Sequence, residues 1–551
     1  MRFKTINGAL LKKMIISGAN ELNKNRSEVD ALNVFPVPDG DTGTNMSLTV
    51  LAAAREVEKS SSLNVSEIAK MASNGSLRGA RGNSGVILSQ LFRGFAKGLE
   101  GIEEANIKDI SKAFAKAVET AYKAVMKPKE GTILTVARAI AESAEKLSAD
   151  TEDIEVFMQT VIADAHEMLL KTKYMLDVLR KADLIDAGGR GLIYILEGAF
   201  NNLYNEANVT VEDFSAATST HHEFAGFEET EITFGYCTEF FINVKDIPES
   251  KLNELKKFCL KMGDSLVLVN DEDIVKIHVH TDHPGLVLEK ALSYGSLSNL
   301  KIDNMREQHT SKINFAHDIS ANSKDEGSFQ TPEKYAFISV SMGSGISEIF
   351  KNLGANEVIE GGQTMNPSTE DFLTAIDNIN AENIFVLPNN KNIILAAEQA
   401  TELLKDKNVV VLKTVSVPQG ISAMVAFNAE SDLNSNIEAM QEAMSLVNTA
   451  MVTFAIRDTV FGEKIISEGD IIGISNDDIC TVSKSVEECT KELIDCTINE
   501  NHEIISIYYG ADVSGEDANV IAEYISEKYP GSEVEVYNGG QPLYYYIISI
   551  E

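Results

Sequence analysis

Two aspartates flank a single glycine near the N-terminus, in the sequence Asp39-Gly40-Asp41. Pro36 and Pro38 precede them, and because proline fixes φ and cannot continue a helix, the chain is expected to arrive there extended. The glycine permits a tight turn that aims both carboxylates at one point. Carboxylate oxygens are ligands that Mg²⁺ prefers. The pair therefore predicts a site for a hard cation, with an ordinary capped turn as the alternative.

The turn is followed by an apolar-rich run, Met46–Val57, which predicts a helix whose N-terminus is the turn itself. The first N–H groups of a helix have no partner within it, and the helix dipole favours an anion there. An anion site beside oxygen ligands for a cation predicts a Mg²⁺–phosphate site.

Three further glycine-containing loops each precede an apolar run that is typical of a helix. Backbone amides in such loops can hold phosphate oxygens, and an arginine can pair with a phosphoryl group. Any one of them could equally be a capped turn or a close helix-packing turn. Four such loops within about 200 residues are harder to explain that way. The three are Gly79–Gly85, Lys127–Thr135 and Asp186–Leu192, of which the last contains Arg190.

The composition limits the classes of protein to be considered. A chain of 551 residues, 44% hydrophobic and 24% charged, predicts a globular protein of roughly three or four domains. Its formal charge of −35 argues against binding to nucleic acid or to an anionic membrane surface. No apolar run approaches the ~18 residues of a membrane span, and the amphipathic N-terminus does not resemble a secretory signal. Five scattered cysteines favour a reducing cytoplasm over a disulfide scaffold.

Residues 1–205 predict an all-α domain, because apolar residues recur there at helical spacing between breaks that carry Gly, Pro and Asn. The predicted helices are Ile6–Leu22, Met46–Val57, Val65–Ser73, Ile107–Val125, Thr132–Leu147, Asp153–Leu170 and Gly191–Leu203.

Together, the four loops resemble the nucleotide-binding L subunit of dihydroxyacetone kinase and, more closely, the catalytic subunit of bacterial fatty acid kinase. The resemblance implies a barrel of helices that holds ATP and two Mg²⁺ ions at one end. By position it implies that Asp39 and Asp41 are metal ligands, with Asn33 near where the smaller kinases have another aspartate. The residues implied to line the nucleotide are Thr42, Gly43, Thr44, Asn45, Ser84, Gly85, Thr132, Asp186, Ala187 and Gly188.

Residues 231–310 predict a small α/β domain in which His278 and His280 share one face of a strand. Cys237 lies on the first strand of the same domain. A cysteine and two histidines from neighbouring strands suit Zn²⁺, whereas two half-exposed histidines and a buried cysteine are an equal alternative. The resemblance to fatty acid kinase implies the metal. A nucleophilic histidine is a further hypothesis.

Two polar stretches, 204–231 and 309–333, predict linkers on either side of this domain. Beyond them, residues 334–551 alternate strands and helices, with β-branched runs that favour a parallel sheet covered by helices. Turns there resemble those of DegV-like fatty-acid-binding proteins, and we expect a docking or dimer role for this domain. The candidate strands are Tyr335–Val340, Glu357–Glu360, Ile384–Leu387, Val409–Leu412, Ile471–Ile474, Ile504–Tyr509, Glu533–Tyr537 and Leu543–Ile550.

The resemblance implies an ATP-dependent kinase that converts a fatty acid carboxylate to an acyl phosphate, with the acyl chain delivered by a separate DegV-like fatty-acid-binding protein. A carboxylate is already ionised near neutral pH, so its attack needs no strong base. Arg190 is the candidate for neutralising charge on the transferred group. A kinase for dihydroxyacetone or another hydroxyl, and a non-catalytic nucleotide- or lipid-sensing scaffold, are the alternatives. A cytoplasmic homodimer is expected.

Overall fold

A computed structural model describes residues 4–33, 40–125, 127–201, 203, 209–212, 236–244, 249–271, 274–304, 332–362, 365–404, 407–461, 464–476 and 478–551. Asp39 and most of both predicted linkers lie outside these residues. The chain divides into two compact units. One combines residues 1–215 with 332–551, and the other spans residues 216–331.

The N-terminal part of the first unit, residues 4–212, is helical apart from one short strand pair, β1 (Thr5–Ile6) with β2 (Ala105–Asn106). Its helices enclose one apolar core. Asparagine and aspartate side chains cap several of them, with a capping box at Asn106. The helices are α1 (Gly8–Lys24), α2 (Arg26–Ala31), α3 (Thr42–Glu58), α4 (Val65–Arg78), α5 (Gly82–Gly98), α6 (Ile107–Ala124), α7 (Ile133–Leu147), α8 (Ile154–Met175), α9 (Asp177–Ala182) and α10 (Ala187–Asn201).

The second unit contains an antiparallel sheet with the strand order β4-β5-β3-β6. One face of this sheet is mostly apolar: Phe240, Ile242, Val275, Ile277 and Val279 share a buried core with residues of the two helices. The elements are β3 (Tyr236–Asn243), α11 (Glu249–Met262), β4 (Gly263–Asp271), β5 (Ile274–Thr281), α12 (Pro284–Leu292) and β6 (Ser296–Asn304).

The C-terminal part of the first unit, residues 332–551, begins with the predicted parallel sheet, in the order β10-β9-β7-β8. Helices cover it, and its two central strands, β9 and β7, contribute most of the buried apolar strand residues. The elements are β7 (Glu333–Ser341), α13 (Ser344–Asn352), β8 (Glu357–Glu360), α14 (Thr369–Asp377), β9 (Ala381–Leu387), α15 (Ile394–Leu403), β10 (Asn408–Val411), α16 (Val417–Val425) and α17 (Leu433–Leu446).

The rest of this part departs from the prediction of a parallel sheet. Six of its strands form a second sheet, β15-β14-β11-β18-β16-β17, in which only β16 and β17 pair in parallel, and β12 and β13 form a separate hairpin. A turn at Asn476 joins β14 directly to β15, and a connection so short permits only antiparallel pairing. The elements are β11 (Asn448–Phe454), β12 (Thr459–Phe461), β13 (Lys464–Ile466), β14 (Ile471–Ser475), β15 (Asp478–Ser483), α18 (Val486–Thr497), β16 (Ile504–Tyr509), α19 (Gly515–Lys528), β17 (Glu533–Asn538) and β18 (Tyr546–Ile550).

The two parts of the first unit pack directly on each other through α5, the end of α4 and the loop between them. Ala80 and Val86 belong to the same apolar core as Phe372 and Ala396 of the C-terminal part. Beside them, Gln399 is 4% exposed and bridges the parts by hydrogen bonds. Its Nε2 donates to the carbonyl of Leu77 at 2.7 Å and to Thr369 Oγ1 at 3.2 Å. Its Oε1 accepts from the side chains of Ser89 and Gln90. Among the described residues, no helix is long and apolar enough to cross a membrane.

Candidate functional site

The helix after the aspartate pair begins at Thr42, four residues earlier than predicted. Its first N–H groups are not free for an anion, because a carboxylate from α2 takes them. Asp30 Oδ1 accepts from the backbone N–H of Gly43 at 2.6 Å and of Thr44 at 3.1 Å, and Thr44 Oγ1 donates to Oδ2 at 2.8 Å. Burial raises the pKa of Asp30, although these hydrogen bonds oppose the shift. Sequence reasoning missed Asp30, since capping from another helix leaves no local signature.

Gly43 is required where α2 and α3 meet. A Cβ at this position would lie 2.2 Å from the carbonyl oxygen of Arg26, so no larger residue fits. The glycine brings α3 against the end of α2, and this close approach lets Asp30 reach the helix start.

Asp41 lies at the N-cap position of α3 and is 8% exposed. Its side chain makes no capping hydrogen bond to α3. Instead, Asp41 Oδ2 accepts from Asn366 Nδ2 at 2.5 Å, a contact with the C-terminal part. Asn45, one turn further along α3, is 3% exposed and accepts from the same amide at 3.4 Å. The carboxylate is therefore oriented by a residue more than three hundred positions away in the sequence.

A cavity of about 690 Å³ lies between the two parts of the first unit. Asp41 and Ser84, from two of the four predicted loops, both line it. The C-terminal wall includes Ser341, Asn389 and Ser416, where the parallel strands end, together with residues of the second sheet such as Thr449 and Ile547. The opposite wall consists of Asn33, Gly40, Asp41, Thr42, Asn45, Asn83 and Ser84.

Loop Gly79–Gly85 belongs both to this cavity and to the contact between the two parts. Gly82 has φ +57°, and a Cβ there would lie 2.4 Å from Asn45 Nδ2. This left-handed turn allows Ser84 to face the cavity while Arg81 points to the C-terminal part. Arg81 Nη1 donates to the carbonyl of Asn366 at 2.8 Å. Gly43, Thr44 and Gly85 are not among the lining residues.

The remaining predicted nucleotide residues form a separate group where α7 and α10 begin. Asp186 Oδ2 accepts from the N–H of Gly189 at 2.6 Å, and its carboxylate also accepts from the N–H of Ile133. Thr132, Asp186, Ala187 and Gly188 do not line the cavity around Asp41. A Cβ at Gly189 would lie 2.7 Å from Val136 Cγ2, as expected for a close helix-packing turn.

The stability of this helix junction is expected to fall as pH rises from about 4 to 6. Burial raises the pKa of Asp186 to about 6, against 3.8 for an ordinary aspartate. The native state then keeps a proton that the unfolded state has lost, so the stabilisation present below pH 4 disappears as pH passes 6, by about 3 kcal/mol. Urea unfolding of Asp186→Asn across this range should remove that part of the pH dependence. Asp183→Asn, a change at a neighbouring surface position, should leave it intact.

Arg190 is occupied by contacts within the N-terminal part. Its Nε donates to Glu28 at 3.3 Å and its Nη2 to Tyr194 Oη at 2.8 Å, while the guanidinium stacks 3.9 Å from the centroid of the Tyr194 ring. Tyr194 Oη in turn donates to Glu28 at 2.6 Å. These contacts link α10 to α2, and Arg190 does not line the cavity.

In the second unit, backbone register brings the predicted zinc ligands onto adjacent strands. Cys237 on β3 pairs with His280 on β5, and Glu239 pairs with His278. Residues opposite each other in an antiparallel pair share a face, and residues two apart on one strand do as well. Cys237, His278 and His280 therefore lie on one face of the sheet. Their side chains lie outside the described part of the structure.

The donor set around Asp41 suits a hard cation, because the buried carboxylate is accompanied by amide and hydroxyl oxygens. Within the described ranges, no cluster of three or more His, Cys, Asp or Glu side chains could hold a metal. Mg²⁺ often takes only one or two carboxylates and completes its shell with water and phosphate oxygens. Asp41 fits that pattern as one such carboxylate, and Asp39, its predicted companion, lies outside the described residues.

Models of three protein families match the chain in succession. The DAK2 domain matches residues 36–201, the FakA-like middle domain of fatty acid kinase matches 233–312, and the FakA-like C-terminal domain matches 336–551. Protein YloV of Bacillus subtilis is 44% identical over 561 residues and covers 100% of both chains. The chain belongs to the FakA-like fatty acid kinase family. This membership confirms the predicted resemblance and supports phosphotransferase activity.

Solved structures that align with part of this chain include the following two. A DegV family protein, Cg2579 from Corynebacterium glutamicum, aligns with 40% of this chain and 96% of its own, at 12% identity and TM-score 0.31. The dihydroxyacetone kinase from C. freundii in complex with AMP-PNP and Mg²⁺ aligns with 35% of this chain and 34% of its own, at 20% identity and TM-score 0.27.

Proposed function

We propose that the chain is an ATP-dependent kinase that phosphorylates a fatty acid carboxylate to give an acyl phosphate. The bond between the γ-phosphorus and the ADP oxygen breaks as a bond to the carboxylate oxygen forms. A separate fatty-acid-binding protein of the DegV-like family presents the acyl chain, since a carrier can expose the head group alone. Family membership supports the kinase activity, while the acceptor and the carrier are our own inference.

One observation carries the proposal: Asp41 and Ser84, predicted independently from two loops, line one cavity. Asp41 and Asp39 would hold Mg²⁺, which when bound neutralises phosphate charge. Thr42, Asn45 and Ser84 offer polar groups to the nucleotide. Thr132 and Asp186–Gly188 are proposed to contact it from the start of α7 and α10.

The choice of acceptor rests on the ionisable side chains of the lining, which among the described residues include Asp41 and Lys391 but no histidine. A hydroxyl acceptor has to lose a proton, whereas a carboxylate is already ionised at neutral pH. His166 Nε2 contacts Glu197 Oε1 at 2.8 Å, and no histidine lines the cavity in the part of the chain that the structure describes. Catalysis would then depend on positioning and on charge stabilisation. For Arg190 to act on the transferred group, its ion pair with Glu28 must open.

The chemistry can be tested by trapping the product. The full chain is incubated with Mg-ATP and a fatty acid loaded on a DegV-like carrier, and acyl phosphate is captured with hydroxylamine. Hydroxamate that requires both ATP and the carrier supports the proposal. A phosphorylated product formed with dihydroxyacetone but not with the fatty acid would instead support a kinase for hydroxyl acceptors. Nucleotide binding without turnover on any acceptor would favour the non-catalytic scaffold. Light scattering on the same sample tests the predicted homodimer.

We further propose that Cys237, His278 and His280 bind Zn²⁺ in the second unit. Their shared sheet face supports the proposal, because thiolate and imidazole ligands suit this metal. Elemental analysis of the purified chain should find about one zinc per chain, and His280→Ala should lose it. Zinc should remain in His283→Ala, the matched control. Absence of zinc before and after reconstitution would contradict the proposal.

A further inference from the structure

Asn366 contacts the proposed cation site from the C-terminal part. Its side chain is 0% exposed, and Nδ2 donates to Asp41 Oδ2 at 2.5 Å. The other end of the amide, Oδ1, is buried and has no hydrogen-bond partner among the described residues. A buried acceptor without a donor costs free energy, so its position beside a carboxylate indicates a role beyond packing.

The backbone around Asn366 is fixed to the N-terminal part. Arg81 Nη1 donates to the Asn366 carbonyl at 2.8 Å, and Ser368 forms an isolated β-bridge with Arg81. The next residue, Thr369, donates its N–H to the carbonyl of Ala80 at 3.0 Å. Arg81 thus acts on Asp41 through Asn366.

A second residue of the C-terminal part contacts the N-terminal part shortly before Asp41 in the sequence. The Arg457 guanidinium donates to the backbone carbonyls of Ala31 and Asn33. Arg457 therefore contacts the chain before the turn that carries Asp41, and Asn366 contacts Asp41 itself.

We propose that Asn366 is a positioning residue for the cation site at Asp41, and that docking of the C-terminal part thereby sets the cation affinity of the kinase. This inference rests on the proposed function, because it takes Asp41 to be a metal ligand. The amide donor helps to fix the orientation of the carboxylate. Removing hydrogen-bond partners of metal ligands weakens metal binding about 10- to 100-fold in proteins.

The test is a Mn²⁺ titration of the full chain with a non-hydrolysable ATP analogue, followed by the electron paramagnetic resonance signal of free Mn²⁺. Asn366→Ala should raise the Kd for Mn²⁺ about tenfold. In turnover assays the variant should need correspondingly more Mg²⁺ but recover its kcat at saturation. Glu370→Gln, which alters an exposed ion pair with Arg78 at the same contact, should match the wild type.

Arg81→Met supplies a second variant, because it releases the loop that presents Asn366. It should weaken Mn²⁺ binding in the same direction, and the double variant should be no weaker than Asn366→Ala alone. If Asn366→Ala does not fold, the Arg81→Met result decides. Unchanged Mn²⁺ affinity in the folded variants overturns the inference. A double variant whose loss of Mn²⁺ affinity is the sum of the two single losses also overturns it. A wild type that binds no Mn²⁺ would instead overturn the proposed function.

Discussion

Replacing Asp41 by asparagine is expected to lower acyl phosphate formation about 1000-fold, which is the scale for loss of a group that stabilises transition-state charge. Asparagine keeps the shape of the side chain and removes its charge, so it would no longer offset phosphate repulsion through a bound cation. Asp41 lies in a turn and not in the apolar core, hence the thermal unfolding midpoint should change little. Initial rates by hydroxylamine trapping measure the effect.

Two comparisons make the Asp41 result interpretable. Glu370→Gln removes one carboxylate from the exposed edge of the same contact and should keep activity within about twofold, since exposed ion pairs contribute little. Saturating Mg²⁺ should not restore Asp41→Asn, whereas it should restore Asn366→Ala. An Asp41→Asn enzyme that keeps more than about a tenth of its activity would contradict the assignment of Asp41 as an essential ligand.

Replacing Gln399 by leucine is expected to destabilise the contact between the two parts of the first unit by about 3 kcal/mol. The side chain makes four hydrogen bonds across or beside that contact, to Leu77, Thr369, Ser89 and Gln90. Leucine has a similar size but leaves the carbonyl and amide groups buried without partners, and each costs roughly 1–3 kcal/mol. Hydrogen exchange should report faster exchange in α5 and α15.

Glu402→Gln provides the matched control for Gln399, because it lies on the same helix and faces solvent near Arg93. It should change exchange rates by no more than the equivalent of about 0.5 kcal/mol. Equal protection in both variants would mean that apolar contacts alone, such as Val86 against Ala396, hold the parts together.

Local features of the sequence predicted much of the N-terminal part. Helical periodicity predicted helices such as α7, and the loops before α3 and α5 supplied Asp41 and Ser84 to one cavity. These predictions were possible because a glycine turn and the helix after it are adjacent in the chain. The prediction of a parallel sheet failed beyond β10, where a tight turn dictates antiparallel pairing.

Contacts between distant segments could not be predicted in the same way. Asn366, Gln399 and Arg457 meet the N-terminal part across a separation of some three hundred residues or more, and no spacing rule connects such positions. Ser89 and Gln90 are polar residues on α5, so periodicity alone would assign them to solvent, yet both are buried against Gln399. Asp30 caps α3 from another helix and was missed for the same reason.

The division of the chain has a consequence for how the protein is made. About 115 residues of the second unit are synthesised between the two halves of the first. At roughly 5–20 residues per second, a ribosome needs about 6 to 23 s to pass through them. During that delay, Ala80, Val86 and the polar groups of α5 have no covering surface. Newly made N-terminal helices would therefore be a substrate for chaperones until the C-terminal part, the last two fifths of the polypeptide, emerges.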